Sequence, residues 1–171
     1  QPQLAIIIPT WNHLPHLRVC VASIRRNTRL PYQLVLHVND GCDGTLNWVR
    51  RQGIEYTWTA SNVGICDAVN AAANQSRGEY LAYVNDDMYL LPGWDLPLAD
   101  YGGHPADFQE RRWLDDYAAA KLRLADWSGA TWPPSCVHGK WWDLAGGYSA
   151  EFSPGFYSDI DFSAKLWMLG C

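Results

Sequence analysis

A chain of 171 residues is long enough to bury one sizeable core, and a net charge of −5 argues against a general nucleic-acid binder, whose affinity comes from a basic surface. No apolar run reaches the length of a membrane span and no signal-peptide pattern opens the sequence, so peripheral contact with a membrane is the most that is expected. Five cysteines (Cys20, Cys42, Cys66, Cys136 and Cys171) are an odd number without Cys-x-x-Cys spacing, which fits a reducing, cytoplasmic setting better than disulfides or a zinc site.

Leu4-Ala5-Ile6-Ile7-Ile8 is apolar throughout and is followed by Pro9, the pattern of a short buried strand ended by proline, with Thr10-Trp11-Asn12 as its loop. From His13 to Thr28 the spacing predicts a helix with Leu14, Leu17, Val21 and Ile24 on its buried stripe and Cys20 at the border. Arg25, Arg26 and Arg29 suit its last turn, and His13 and His16 read as polar-face residues. Gln33 to Val38 is a second strand running into Asn39-Asp40-Gly41-Cys42-Asp43-Gly44, and a short helix from Thr45 to Gln52 follows. Ile54 to Thr59 is a third strand. Ser61-Asn62-Val63-Gly64 then leads into a helix over Ile65–Ser76, with Asp67 in its first turn.

The fourth strand, Tyr80-Leu81-Ala82-Tyr83-Val84, releases Asn85-Asp86-Asp87 into a loop. Four alternations of strand and helix predict an α/β fold with a mostly parallel sheet and helices on both faces, and right-handed crossovers give the order 3-2-1-4. Strands 1 and 4 then flank a switch point, where ligands of such sheets bind. Two adjacent carboxylates there repel each other and suit a hard cation, Mg²⁺ or Mn²⁺, shared with substrate phosphates. The plain alternative is a solvated acidic turn. There is no Gly-x-Gly-x-x-Gly and no Walker loop.

In order and spacing, Ile-Ile-Ile-Pro-Thr-Trp-Asn, Val-Asn-Asp-Gly-Cys-Asp-Gly-Thr, Asn-Val-Gly and Val-Asn-Asp-Asp together resemble the inverting, nucleotide-sugar-dependent glycosyltransferases of family 2, with their Rossmann-like GT-A fold. The resemblance covers about residues 1–95 and implies a donor-binding half there. It implies that Thr10, Trp11, Asn12, Asn62 and Gly64 lie along a UDP-, dTDP- or GDP-linked sugar and that Asp40 accepts a hydrogen bond from the base. Asn85-Asp86-Asp87 stands where the family has its Asp-x-Asp motif, with Asp87 as metal ligand and Asp86 near ribose or phosphate. Three positions depart from the pattern. Trp11 replaces the usual Tyr, Asn85 the motif's first Asp, and Val69 an Arg that many members place near the diphosphate.

Residues 96–171 are expected to supply the acceptor side and the base, in a single domain that is compact or lacks segments found in relatives. Pro105–Asp126 has the pattern of an amphipathic helix with a solvated charged face. Trp132, Trp141 and Trp142 are candidates for the flat face of a saccharide or lipid-linked saccharide acceptor, against core packing as the alternative. His138 reads as structural. Gly146-Gly147-Tyr148 resembles the family's segment before its acid, and Ser158-Asp159-Ile160-Asp161 stands at its Glu-Asp-x-Asp. By that position Asp159 is the general base and Asp161 structural. Ser158 is expected to cap the helix, and its dipole to keep the acids ionised. Two other readings are a binding module that has lost catalysis and a sugar-phosphate nucleotidyltransferase. The second requires a Gly-rich loop where Pro9-Thr10-Trp11-Asn12 stands.

Overall fold

The structure, a computed structural model, describes residues 2–95, 111–112, 115 and 132–170. The helix expected over Pro105–Asp126 lies outside the described residues, apart from Arg111, Arg112 and Asp115. Among the described residues Cys20, Cys42, Cys66 and Cys136 are free thiols, and no helix is long and apolar enough to cross a membrane.

Eight residues form β1 (Leu4–Trp11), followed by α1 (Leu14–Asn27), β2 (Tyr32–Asn39), α2 (Thr45–Arg51), β3 (Glu55–Thr59), α3 (Gly64–Ala73) and β4 (Tyr80–Tyr83). Then come β5 (Ser135–His138), α4 (Gly139–Ala145), a 3₁₀ turn at Ala150–Phe152 and α5 (Ser158–Met168). The sheet runs β3-β2-β1-β4-β5, as expected for its first four strands, which are parallel. β5 pairs antiparallel with β4, Tyr80 opposite His138 and Tyr83 opposite Ser135. This edge strand was not expected.

β1 is apolar on both faces because both faces are covered. Leu4, Ile6 and Ile8 pack with Leu17, Val21 and Ile24 of α1, while Ile7 points the other way among Cys66, Val69 and Ala72 of α3. The side-chain period of two therefore divides one strand between two cores. Pro9 does not end β1, contrary to the sequence reading. Ile7 O accepts from Val84 N, so the residues of β1 that share its direction face β4, and Pro9 lacks its N–H only where β4 has stopped.

α1 starts without a side-chain cap of its own. Asp43 supplies one from a distance: one carboxylate oxygen accepts from Leu14 N at 2.9 Å, and the other from Thr45 N, at the start of α2, at 3.0 Å. Arg29 falls beyond the C-cap at Thr28, leaving Arg25 and Arg26 in the last turn. Because one side chain serves two helix starts, Asp43→Ala should cost about 1–2 kcal/mol of stability, as loss of an N-cap does. Urea denaturation measures this, and an unmoved midpoint would mean that solvent caps both ends equally well.

Candidate active site

At the C-terminal ends of β1, β2 and β4 the strands open on a crevice of about 360 Å³, whose walls include Thr10, His13, Asn39, Gly64, Asp86 and Asp87. Both oxygens of Asp86 are engaged: Thr10 Oγ1 donates to Oδ2 at 2.6 Å, and His13 Nδ1 stands 3.1 Å from Oδ1. Asp87 beside it is exposed, with no hydrogen bond or ion pair to the described residues. Asn85 accepts from the Tyr83 hydroxyl with its amide oxygen at 2.7 Å, and among the described residues its amide nitrogen has no partner. Asn62 also lines the crevice, its Oδ1 accepting from Gly64 N at 2.9 Å.

Asn12 and Asp40 stand beside this lining and hold each other, Asn12 Nδ2 donating to Asp40 Oδ2 at 2.9 Å. Both have left-handed backbones, φ 49 and φ 61, a conformation that Asn and Asp tolerate better than other side-chain-bearing residues. The Asn12 amide keeps the Asp40 carboxyl below its ordinary range. Trp11 and Trp58 are both largely exposed, and Trp58 Nε1 donates to Asp40 O at 2.8 Å. Val69 is buried in the second core, so the position expected to carry an Arg in many relatives is a packing position here.

The donor set fits a particular kind of metal site. Among the described residues no three His, Cys, Asp or Glu side chains gather into a cage. Mg²⁺ and Mn²⁺ bound to phosphates need no cage, because one or two carboxylates with phosphate and water oxygens suffice. Asp87, open and without a partner among the described residues, is of the kind such a site uses, whereas Asp86 has both oxygens engaged by Thr10 and His13.

Asp159 approaches from the other side. It lies in the first turn of α5, its Oδ1 accepting from the Tyr148 hydroxyl at 2.8 Å. Burial pushes its carboxyl above the ordinary value, against the lowering effect of that hydrogen bond. Ser158 does not cap α5. Tyr157, at φ 66, holds the cap position, and Ser158 Oγ donates instead to Gly155 O at 2.8 Å. Asp161 accepts from Ser149 Oγ at 2.8 Å and pairs with Lys165 at 3.1 Å, a structural set of contacts.

Tyr83, a buried residue of β4, stands between the two sides: its hydroxyl donates to Asn85 Oδ1 at 2.7 Å and its ring lies edge-on to Tyr148 at 6.0 Å, while burial, then the negative charge of Asp159 and Asp86, holds its pKa up. The segment before α5 is also fastened to the start of α3. Pro154 O accepts from Ile65 N at 2.9 Å, and Ser153 Oγ donates to Val63 O at 3.0 Å. Gly64 permits that contact: it has φ +83, and a Cβ there would run into Ser153 Oγ and lie 2.9 Å from Pro154 Cα.

Of the three tryptophans, Trp132 is exposed and, with Phe156, Tyr157 and Ile160, lines a hollow of about 230 Å³ that includes Asp159. Trp142 is buried, its ring 5.1 Å from Phe162 and 5.8 Å from Tyr148, so it packs the second core, and its edge lines a hollow of about 330 Å³ with Asn70 and Asp143. Trp141 is half-buried on α4, under the Lys140 ammonium. His138 is structural: its Nδ1 accepts from Lys140 N at 3.0 Å and starts α4.

His13, Tyr83 and Tyr148 were missed as site residues. His13 was assigned to a polar helix face, yet it sits at the N-cap of α1 on the sheet's ligand edge. The signal for Tyr83 was its place two residues before Asn85, and for Tyr148 a phenol in an apolar segment, which needs a partner once buried.

Three comparisons bear on this geometry. The Bacillus subtilis protein named uncharacterized glycosyltransferase EpsJ is 29% identical over 94 residues, 52% of this chain and 27% of that protein. The mannosyltransferase PcManGT from Pyrobaculum calidifontis, in complex with GDP-Man and Mn²⁺, superposes with a TM-score of 0.70 at 20% identity, over 99% of this chain and 53% of that one. Staphylococcus aureus TarS 1–349 in complex with UDP-GlcNAc gives 0.62 at 16% identity, over 97% and 53%. The chain spans between 11% and 35% of the length of the curated relatives it matches. The sheet order and the crevice at its switch point are those of the GT-A fold, and with residues 5–108 matching the model of Glycosyl transferase family 2, the chain belongs to that family.

Proposed function

We propose that the chain is the donor-binding and catalytic domain of an inverting glycosyltransferase, moving a sugar from a nucleotide-diphospho-sugar to an acceptor hydroxyl. The observation that carries this reading is a chain of contacts from the Asp86-Asp87 loop to the half-buried Asp159: the Tyr83 hydroxyl donates to Asn85 Oδ1 at 2.7 Å, its ring stands edge-on to Tyr148 at 6.0 Å, and the Tyr148 hydroxyl donates to Asp159 at 2.8 Å. A binding module that had lost catalysis would have no use for the second carboxylate.

Thr10, Trp11, Asn12, Asn62, Gly64 and Asn85 bind the donor within residues 1–95, and Asp40 receives a donor group of the base. Asp87 would hold Mn²⁺ or Mg²⁺, which would supply positive charge to the diphosphate. Asp86, fixed by Thr10 and His13, keeps that loop in place. Residues 96–171 carry the acceptor side, with Trp132 flanking a saccharide or lipid-linked saccharide. Asp159 takes the proton of the acceptor hydroxyl as its oxygen forms a bond to the anomeric carbon. The diphosphate leaves from the opposite face, which inverts that centre. A carboxyl whose pKa is raised by burial is a stronger base than one in water. The complexes of PcManGT with GDP-Man and Mn²⁺ and of TarS with UDP-GlcNAc support a nucleotide-sugar donor and a divalent metal.

Thermal unfolding with UDP, GDP and dTDP in Mn²⁺ tests the donor side. One nucleotide at a hundredfold its Kd should stabilise the fold by about 2.7 kcal/mol. Indifference to all three would sink the reading.

A further inference from the structure

A core position filled by an aromatic ring has no need of a hydroxyl, and Tyr148 has one that points at Asp159. Its ring lies in a wall of aromatics: nearly parallel to Phe162 at 5.0 Å, tilted to Trp142 at 5.8 Å and edge-on to Tyr83 at 6.0 Å. Its backbone is clamped as well. Asn70 of α3 accepts from Tyr148 N at 2.9 Å and donates to Tyr148 O at 2.8 Å, so a single amide side chain holds both main-chain groups. Phe162, which stacks on the ring, sits on the same helix as Asp159, one turn further on. A phenol so constrained cannot follow a moving carboxylate; the carboxylate must come to it.

On the reading that Asp159 is the base, we propose that Tyr148 is its positioning residue: the hydroxyl, fixed by Asn70 and the aromatic wall, ties Oδ1 in one orientation and leaves Oδ2 for the acceptor proton. Asp159 shows no partner on Oδ2 among the described residues. Among the described residues the titratable groups that face Asp159 are Tyr148 itself, Tyr83 of β4 and Cys66 of α3, while Asp161 and Lys165 on its own helix pair with each other. Burial raises the pKa of Tyr148, Tyr83 and Cys66 alike, so all three stay protonated and uncharged near neutral pH. Tyr148 therefore remains a donor throughout the range in which Asp159 works.

The test is a ¹³C titration of the aspartate carboxyls in the wild-type chain, Tyr148→Phe and Tyr83→Phe, with Asp159→Asn to assign the resonance. The Tyr148 bond favours the ionised form, so its loss should move the Asp159 midpoint to higher pH. Tyr83→Phe, which removes a neighbouring hydroxyl that does not touch Asp159, should leave the midpoint in place. Hydrolysis of UDP-GlcNAc and GDP-mannose, with water as acceptor, gives the second readout: in Tyr148→Phe, kcat should fall about tenfold with donor KM unchanged, even at a pH where Asp159 is ionised. An unmoved midpoint, an equal shift in both phenylalanine variants, or an unchanged kcat at high pH overturns the proposal. If Asp159→Asn hydrolyses donor as fast as wild type, it is the base reading that fails, and the titration still reports whether the bond sets the carboxyl.

Discussion

Asp159→Asn is expected to lower glycosyl transfer by ~10²–10⁴-fold, or about 3–5 kcal/mol of barrier, with donor affinity nearly unchanged. The amide keeps the size of the side chain and can still accept from Tyr148, but it cannot take a proton. The same variant should also melt higher than the wild type near neutral pH. Burial raises the Asp159 pKa in the folded chain above its unfolded value, so ionisation opposes folding. Its contribution to stability is fully present below the unfolded pKa and is lost as pH rises through the folded one. The advantage of Asn should grow over that window and vanish in acid, and thermal melts across pH measure it. A variant that is both inactive and less stable throughout would mark Asp159 as a structural residue.

The second large effect belongs to the cation. A donor diphosphate beside Asp86 and Asp87 meets like charges, and two unit charges about 4 Å apart at an effective dielectric near 20 repel by about 4 kcal/mol. Solvent around exposed Asp87 reduces this, and about 2.7 kcal/mol, or a hundredfold in affinity, is the expected loss when Mn²⁺ is replaced by EDTA. Calorimetry with the nucleoside diphosphate should show that difference in the wild type and none in Asp87→Ala. Equal affinity with and without metal in the wild type would remove Asp87 from its role.

How much of this was legible depended on distance along the chain. The apolar run Leu4–Ile8, the carboxylates after Tyr80–Val84 and the alternation of strand with helix are local patterns, and they led to the observed order of the first four strands. β5 is only Ser135–His138, and it is a strand because β4 offers it a register, which no local preference announces. His13 acquires its role from Asp86, 73 positions away. The start of α5 was misread by one residue, because Tyr157 takes a left-handed conformation that a serine next to it does not signal. Asp43 was legible as a turn residue and illegible as the cap of α1, since Leu14 lies 29 positions before it.

The contact beneath Gly64 has a consequence for the reaction distance. Attack at an anomeric carbon needs the two reacting atoms to come within about 3–3.5 Å, and a misplacement of 1 Å can cost about a hundredfold. On the proposed mechanism, the donor rests on the α3 side of that contact and the base on the α5 side, so the hydrogen at position 64 acts as a spacer of zero thickness between them. A methyl group there would be a shim. It would displace Ser153 and Pro154, and with them the base, while every reacting group kept its identity. The gap across which the sugar must travel is thus set by an atom that is not there.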